Sequence, residues 1–306
     1  MSAIRLTGVT KRFGSHLAVD DLSLEVPAGC VYGFIGPNGS GKTTTLRMIL
    51  NILLPDRGQI EVFGGSRTQA ARDRNGYLPE ERGLYKKMKV RRLLRYYAQL
   101  KGKPVTLIDR NIDRWIARIG LEPWIDKPIE ALSKGMAQKV QFVAAVISEP
   151  ELLILDEPFS GLDPVNAEVL KDAVLDVRRD GTTIVFSTHD MGVAERMCDR
   201  IFMIFKGRKL LDGTLDQIQS AYGADTVRLR VEGGAGVLRA MPGLTVVNDY
   251  GQLQEVRTDD PQALLIALAA RTRVLHFEIA RPSLHDIFVR IARPTADDLR
   301  EAAASA

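Results

Sequence analysis

Residues Gly36-Pro37-Asn38-Gly39-Ser40-Gly41-Lys42-Thr43 read G-x-x-x-x-G-K-[ST] without a mismatch. Glycine lets the backbone curl so that successive N–H groups face the β- and γ-phosphates of a nucleotide. Lys42 is placed to neutralise phosphate charge, the Thr43 hydroxyl suits Mg²⁺, and Thr44 can donate a further hydrogen bond to phosphate. A second chemical pair, Asp156 and Glu157, closes the apolar run LLILDEP. Unpaired charge at the end of a buried strand is costly, and a metal relieves that cost. Asp156 fits a Walker-B carboxylate that holds Mg²⁺ through its water. Glu157, one residue on, is placed to orient or deprotonate an attacking water.

Such chemistry needs the loop to sit between a strand and a helix N-terminus, where the helix dipole adds partial positive charge. VYGFI predicts that strand and TTTLRMIL that helix. LLILDEP and TTIVFSTHD are continuous apolar runs, which suits parallel strands covered on both faces. IRLTGVTKRF, LAVDDLSLEV and GQIEVFGG alternate, as in an antiparallel sheet. Arg82 to Gly120 shows helical spacing at Leu93, Leu94, Tyr97 and Leu100. IFMIFKGRKLLDG predicts two strands around a Lys206-Gly207 turn. Strands alternating with helices give an α/β core. Past about Gln219 the motifs stop, and the remaining stretches follow the order β-α-β-β-α-β, a ferredoxin-like split βαβ arrangement. The expected organisation is a main domain over 1–219, with a helical subdomain over 82–148. A small α+β domain follows over 220–292, and a frayed tail over 293–306.

At 306 residues the chain has room for about two domains. With 45% apolar and 26% charged residues it is excluded from the collagen-like, disulfide-dense and wholly disordered classes. A formal net charge of +4 is too mild to argue for nucleic acid without a localised patch. Cys30 and Cys198 lie far apart in no metal-like spacing and read as reduced thiols. The longest apolar run, Ala263 to Ala270, falls short of the roughly 18 residues of a membrane span. The opening MSAIRLTGVTKRFG lacks an apolar signal region. A soluble intracellular protein is therefore expected, with any membrane role exerted through a partner.

The full set of motifs resembles the nucleotide-binding subunits of ABC transporters over roughly residues 3–215. Leu132-Ser133-Lys134-Gly135-Met136 looks like the LSGGQ signature, departing from it at Lys134 and Met136. Ser133 and Gly135, which the family uses to hold the γ-phosphate, are retained. Ser160-Gly161-Leu162-Asp163 looks like the D-loop, His189 like the switch histidine, and Phe13 occupies the place of the aromatic that stacks on adenine. Alone, an SGLD or a histidine would read as structural; the ordered set does not. Where the family has the Q-loop glutamine, this chain has Glu80, with Glu81 as the alternative alignment. Glu80 still offers a carboxylate oxygen to Mg²⁺ or water but adds a negative charge.

The resemblance implies a P-loop NTPase fold of the ABC ATPase type, with an antiparallel β subdomain and a helical subdomain, using ATP and Mg²⁺. It implies that two copies, most simply a homodimer, dock head to tail. ATP then lies between the phosphate loop of one copy and the signature of the other. Glu157 would be the general base, and His189 would contact the γ-phosphate. A separate permease of about six spans, each of roughly 20 residues, would hold the protein at the cytoplasmic face of the plasma membrane. The appended C-terminal domain, with YLPEERGLY and LSKGMAQKVQF, is similar to export-type ATPases of the sodium-extrusion and drug-efflux branches. Ribosome-directed ABC proteins carry two cassettes and DNA-repair types a long coiled coil, whereas this chain has one phosphate loop and no such insertion. A regulatory switch without transport would need a damaged hydrolytic site, yet Glu157 and His189 are present.

Arg82 to Lys103 is rich in Lys and Arg. It reads either as a surface facing acidic permease loops or anionic lipid headgroups, or as an ordinary solvated helical face. Tyr85, Tyr96 and Tyr97, at helical spacing, are expected in the core. His276 and His285 have no ligand-spaced partners and are read as structural.

Overall fold

Alternating and continuous apolar runs sort into two layers of sheet. A computed structural model describes residues 2–65, 74–81, 83–222, 226–241 and 244–292. The expected tail, 293–306, and Arg82 lie outside the described residues. The chain divides after Thr214 into two units, five residues before the division expected from where the motifs stop. The helix that follows, Leu215–Ala221, belongs to the second unit. Gln219 donates to the Pro282 carbonyl at 3.1 Å, and Asp216 pairs with Arg281.

In the first unit, β1 (Ser2–Phe13) and β2 (His16–Pro27) form an antiparallel pair, followed by β3 (Val31–Ile35), α1 (Lys42–Ile49) and β4 (Arg57–Val62). Next come β5 (Asn75–Leu78), α2 (Val90–Leu100), α3 (Val105–Arg118), α4 (Lys134–Val146) and β6 (Leu152–Asp156). The unit closes with α5 (Pro164–Arg179), β7 (Thr183–Thr188), α6 (Met191–Met197), β8 (Arg200–Phe205) and β9 (Arg208–Gly213). One sheet is antiparallel with order β2-β1-β4; the other has order β5-β6-β7-β3-β8-β9. Its first five strands are parallel, and only β9 runs against its neighbour.

Every residue of β3, β6 and β7 is buried, because both faces of the parallel sheet are covered. Successive side chains leave a strand on opposite faces. Val31, Leu153, Leu155, Ile184 and Phe186 therefore join the core shared with α2 to α5. Tyr32, Phe34, Leu152, Ile154 and Val185 join the core under the antiparallel sheet and α1. There Phe34 stacks on Phe202 at 4.9 Å between ring centroids, worth about 1 kcal/mol beyond the area it buries.

The single helical stretch expected from Arg82 to Gly120 is corrected. Residues 83–89 form loop and turn, and the helical part is broken between Leu100 and Val105. Gly102 sits at φ +69°, and Pro104 supplies the extended residue before α3. A left-handed glycine and a proline stop and restart a helix even where apolar spacing continues.

The second unit begins with α7 (Leu215–Ala221), then β10 (Thr226–Val231), α8 (Gly234–Arg239), β11 (Thr245–Asp249) and β12 (Gln254–Arg257). It ends with α9 (Pro261–Ala269), β13 (Val274–Ala280) and α10 (Leu284–Ala292). The sheet order β11-β12-β10-β13, antiparallel throughout, is that of the split βαβ arrangement. His276 and His285 are exposed, and the His276 ring lies 3.5 Å from Glu278.

Candidate nucleotide site

Three segments remote in sequence meet at the C-terminal ends of neighbouring parallel strands. Ile35 of β3 stands opposite Thr188 of β7, and Asp156 of β6 opposite Ser187. The phosphate loop, the Asp156-Glu157 pair and His189 leave the sheet side by side, where open α/β sheets bind ligands. A cavity of about 440 Å³ opens there, lined by Phe13, Asn38 to Thr44, Glu80 and Glu157 together with His16 and Ala18. That volume suits a nucleotide. A slightly larger cavity, about 500 Å³, lies among Ala28, Glu151 and Thr183 at the N-terminal ends of the same strands. No phosphate-binding backbone converges on it, so size does not select the site.

The loop's glycines are fixed by crowding and by dihedral. A Cβ at Gly36 would lie 2.2 Å from the Ile204 carbonyl oxygen and 2.7 Å from Ser40 Oγ. Gly41 holds φ +106° with the Ala18 carbonyl 2.5 Å from where its Cβ would be, and from there α1 starts. Lys42 is 5% exposed. Its Nζ donates to the carbonyls of Gly36 at 2.7 Å and Pro37 at 3.2 Å and faces Glu157 Oε1 at 3.5 Å. Burial pulls the Lys42 pKa below its ordinary value, and the Glu157 carboxylate opposes that pull.

Asp156 is fully buried. Its Oδ1 accepts from Ser187 Oγ at 2.5 Å and Thr43 Oγ1 at 3.2 Å, while its Oδ2 has no hydrogen-bond partner. Burial raises the Asp156 pKa; the Ser187 and Thr43 hydroxyls counter it in part. A buried carboxylate oxygen without a partner, beside a threonine hydroxyl, is a hard-oxygen donor set suited to Mg²⁺. Glu80 lines the same cavity. Its pKa is raised by burial and by the negative charges of Asp156 and Glu157. Of the two alignments open at the Q-loop, Glu80 is the residue that lines the cavity. The Pro79 and Glu81 carbonyls accept from Gln141 at 3.3 Å each.

Glu157 sits at φ +49°, an uncommon backbone state for a side chain of its size. Its N–H donates to Ser187 Oγ at 3.0 Å, and its Oε2 lies 3.1 Å from His189 Nδ1. That bond raises the His189 pKa above its ordinary value against the effect of partial burial. Ser187 thus bridges Asp156 and Glu157. Sequence reasoning missed it, although a hydroxyl ending an otherwise apolar buried strand was a readable signal. His16 was missed as well and carries no such signal.

Ser133, Gly135 and Asp163 do not line this cavity. Ser133 caps α4 by accepting from Met136 N at 3.3 Å, and Asp163 caps α5 by accepting from Asn166 N at 3.0 Å. Gly135 is buried against Asn166, whose Nδ2 would lie 2.9 Å from a Cβ there. The signature and the D-loop therefore form a second cluster within the unit, where two helix starts meet.

Residues 19–160 match the ABC transporter family model, and 213–292 match the C-terminal domain of DrrA1-3-like ATP-binding proteins. An uncharacterised ABC transporter ATP-binding protein of Bacillus subtilis, YhaQ, is 41% identical, covering 92% of this chain and 95% of that protein. The daunorubicin resistance ATP-binding protein DrrA3 of Streptomyces coeruleorubidus is 32% identical, covering 98% of each. The Nod factor export ATP-binding protein I of a Rhizobium species is 33% identical, covering 94% of this chain and 96% of that protein. A solved ATP-binding subunit of an ABC transporter matches with a TM-score of 0.68 and 31% identity, covering 72% of this chain and 94% of that one.

Proposed function

Because the chain belongs to the ATP-binding ATPase subunits of ABC transporters, related to drug-resistance and Nod factor export types, we propose that it drives export through a separate permease by ATP-dependent head-to-tail pairing of two copies. The observation that carries this reading is that Lys42, Thr43 and Glu157 line one cavity and are joined there by direct contacts to Asp156, Ser187 and His189, whereas Ser133 and Gly135 do not line it. An ATPase site whose hydrolytic half is assembled and whose signature faces elsewhere is complete only with a second copy.

In the proposed cycle the adenine rests on Phe13, whose ring is 47% exposed at the cavity rim. The loop N–H groups and the start of α1 hold the phosphates, with Lys42 exchanging its carbonyl partners for phosphate oxygens. Thr43 and Asp156 would hold Mg²⁺, with Glu80 facing the same space, and the ion would supply positive charge against the phosphates. Glu157 takes a proton from the attacking water at its carboxylate. His189, held by Glu157 Oε2, positions that water and the γ-phosphate. Ser133 and Gly135 of the second copy present their helix N-terminus to the same phosphate. Loss of the γ-phosphate removes the bridge between copies, which gives a two-state switch.

No helix among the described residues is long and apolar enough to cross a membrane. The spans, about six segments of roughly 20 residues, are assigned to the permease, which places this chain at the cytoplasmic face of the plasma membrane. Daunorubicin and Nod factor, in the names of two relatives, indicate organic solutes as the exported class; the permease selects among them.

Purified Glu157→Gln, given ATP and Mg²⁺, should run as a dimer by light scattering, with turnover reduced at least 100-fold, the scale of a general base. Solubilised native membranes should then yield a multispanning partner in stoichiometric amount. Full turnover by Glu157→Gln, or a monomer in saturating ATP, would overturn the reading.

A further inference from the structure

The signature departs from LSGGQ at Lys134, and the proposed cycle gives that residue no task. Lys134 is the first residue of α4, between the Ser133 cap and Gly135. It is exposed. Among the described residues its ammonium makes no ion pair and no hydrogen bond. The first turn of α4 carries no acid. A cation in that turn opposes the helix dipole, whose N-terminal end is itself positive. A charge that works against its own helix, with nothing in its own copy to compensate it, marks a functional position.

The side chain lies along the D-loop. A Cβ at Gly161 would stand 2.6 Å from Lys134 Nζ and 3.2 Å from its Cε, so a side chain there would displace the ammonium. Ser160 N donates to Glu157 O at 3.2 Å and Leu162 N to Phe159 O at 3.3 Å, which ties this turn to Glu157. The aspartate of the same motif, Asp163, is committed to α5. Its Oδ1 accepts from Asn166 N at 3.0 Å and its Oδ2 from Asn166 Nδ2 at 2.6 Å. The ammonium therefore rests where signature and D-loop meet, with no anion of its own.

We propose that Lys134 is a catalytic residue acting in trans: its ammonium binds an oxygen of the γ-phosphate held by the phosphate loop of the other copy. The inference rests on the head-to-tail pairing proposed above, which sets Ser133 and Gly135 of one copy against that phosphate. Lys134 stands between them in the chain and supplies what they lack. A hydroxyl and helix N–H groups offer partial charge, whereas the ammonium offers a full one. A cation supplied from outside the phosphate loop stabilises the charge spread over the γ-phosphoryl oxygens as the bond to the β-phosphate breaks. A compact ammonium on a flexible stem reaches such oxygens without a fixed fork geometry. The departure from LSGGQ thus adds a charge to the site that each copy completes for the other.

The test uses the full chain. In the Glu157→Gln background, adding Lys134→Gln should weaken the ATP-dependent dimer about 100-fold by analytical ultracentrifugation, from two equivalent contacts of about tenfold each. ADP binding to the separate copies, which involves no γ-phosphate, should stay within about twofold of wild type. With Glu157 intact and dimerisation saturated by protein and ATP, Lys134→Gln should lower kcat about 10- to 100-fold, one charge-assisted hydrogen bond lost from the transition state. Lys134→Arg keeps the charge and should recover most of that loss. The urea midpoint of Lys134→Gln without nucleotide should rise by about 0.1–0.3 M, because a cation leaves the helix N-terminus. Wild-type kcat in the saturated dimer, even with a weakened dimer, would overturn the proposal and assign Lys134 to a carboxylate of the other copy. A lowered urea midpoint alongside lost turnover would overturn it in favour of a structural role. A Glu157→Gln protein that stays monomeric in saturating ATP would remove the pairing itself, a failure read before Lys134 is changed.

Discussion

Ser187→Ala tests the geometry of the site most directly. The side chain has no exposure and makes two bonds: it donates to Asp156 Oδ1 at 2.5 Å and accepts from Glu157 N at 3.0 Å. Alanine removes a charge-assisted bond of about 1.5–3 kcal/mol and leaves a buried N–H unsatisfied at about 1–3 kcal/mol. Asp156, already pushed up by burial, loses one of the two hydroxyls that counter that push. A protonated carboxyl escapes part of the penalty, so the lower half of each range applies, about 3 kcal/mol in all. The chain's tryptophans, Trp115 and Trp124, both lie in the first unit, so their fluorescence reports its unfolding alone. With m near 3 kcal/mol/M, the urea midpoint should fall by about 1 M. Turnover should fall at least tenfold, because the positive-φ backbone that aims Glu157 loses its tether. A midpoint within about 0.2 M of wild type, together with unchanged kcat, would refute the account of Ser187 as the bridge.

Gly36→Ala should destabilise the first unit by about 1–3 kcal/mol, because the Ile204 carbonyl cannot retreat from a Cβ at 2.2 Å. Gly39→Ala, with open space but φ +74°, should cost about 1 kcal/mol; equal costs in urea titrations would contradict the crowding argument. His189 has a raised pKa in the fold, so its pairing with Glu157 stabilises fully below the unfolded value of about 6.5. That stabilisation is lost as pH rises through the folded value. The urea midpoint of wild type should decline through this window, and that of His189→Gln should not. Glu80→Gln removes one of three carboxylates around the site and should raise the Mg²⁺ concentration needed for half-maximal ATPase activity; an unchanged Mg²⁺ profile would exclude Glu80 from the metal's surroundings.

Much of the fold was legible because its signals are local. VYGFI, LLILD and TIVFST have continuous apolar centres and become wholly buried parallel strands. The β-α-β-β-α-β order after residue 219 was readable from alternation and turn residues around Gly251, and the second unit has that topology. Apolar spacing alone did not reveal the break at Gly102 and Pro104, since both helices keep the same buried stripe on either side of it. The tyrosines were misplaced for a related reason. Helical spacing says which residues share a face, and at Tyr96 that face turned out to be the one away from the core.

Residue types and spacing by themselves determined the phosphate loop, the acidic pair after β6 and the histidine after β7, because each motif is set by chemistry within a few residues. Tertiary structure alone decided that Asp156 stands opposite Ser187, that Lys42 lies 3.5 Å from Glu157, and that Ser133 and Gly135 lie outside the cavity that Lys42 and Glu157 line. The physical reason is register. Asp156, 113 residues from Thr43, is brought beside the loop by parallel pairing across the sheet. Which atoms then meet depends on how far each strand slides against its neighbour, a quantity that no short stretch of sequence contains.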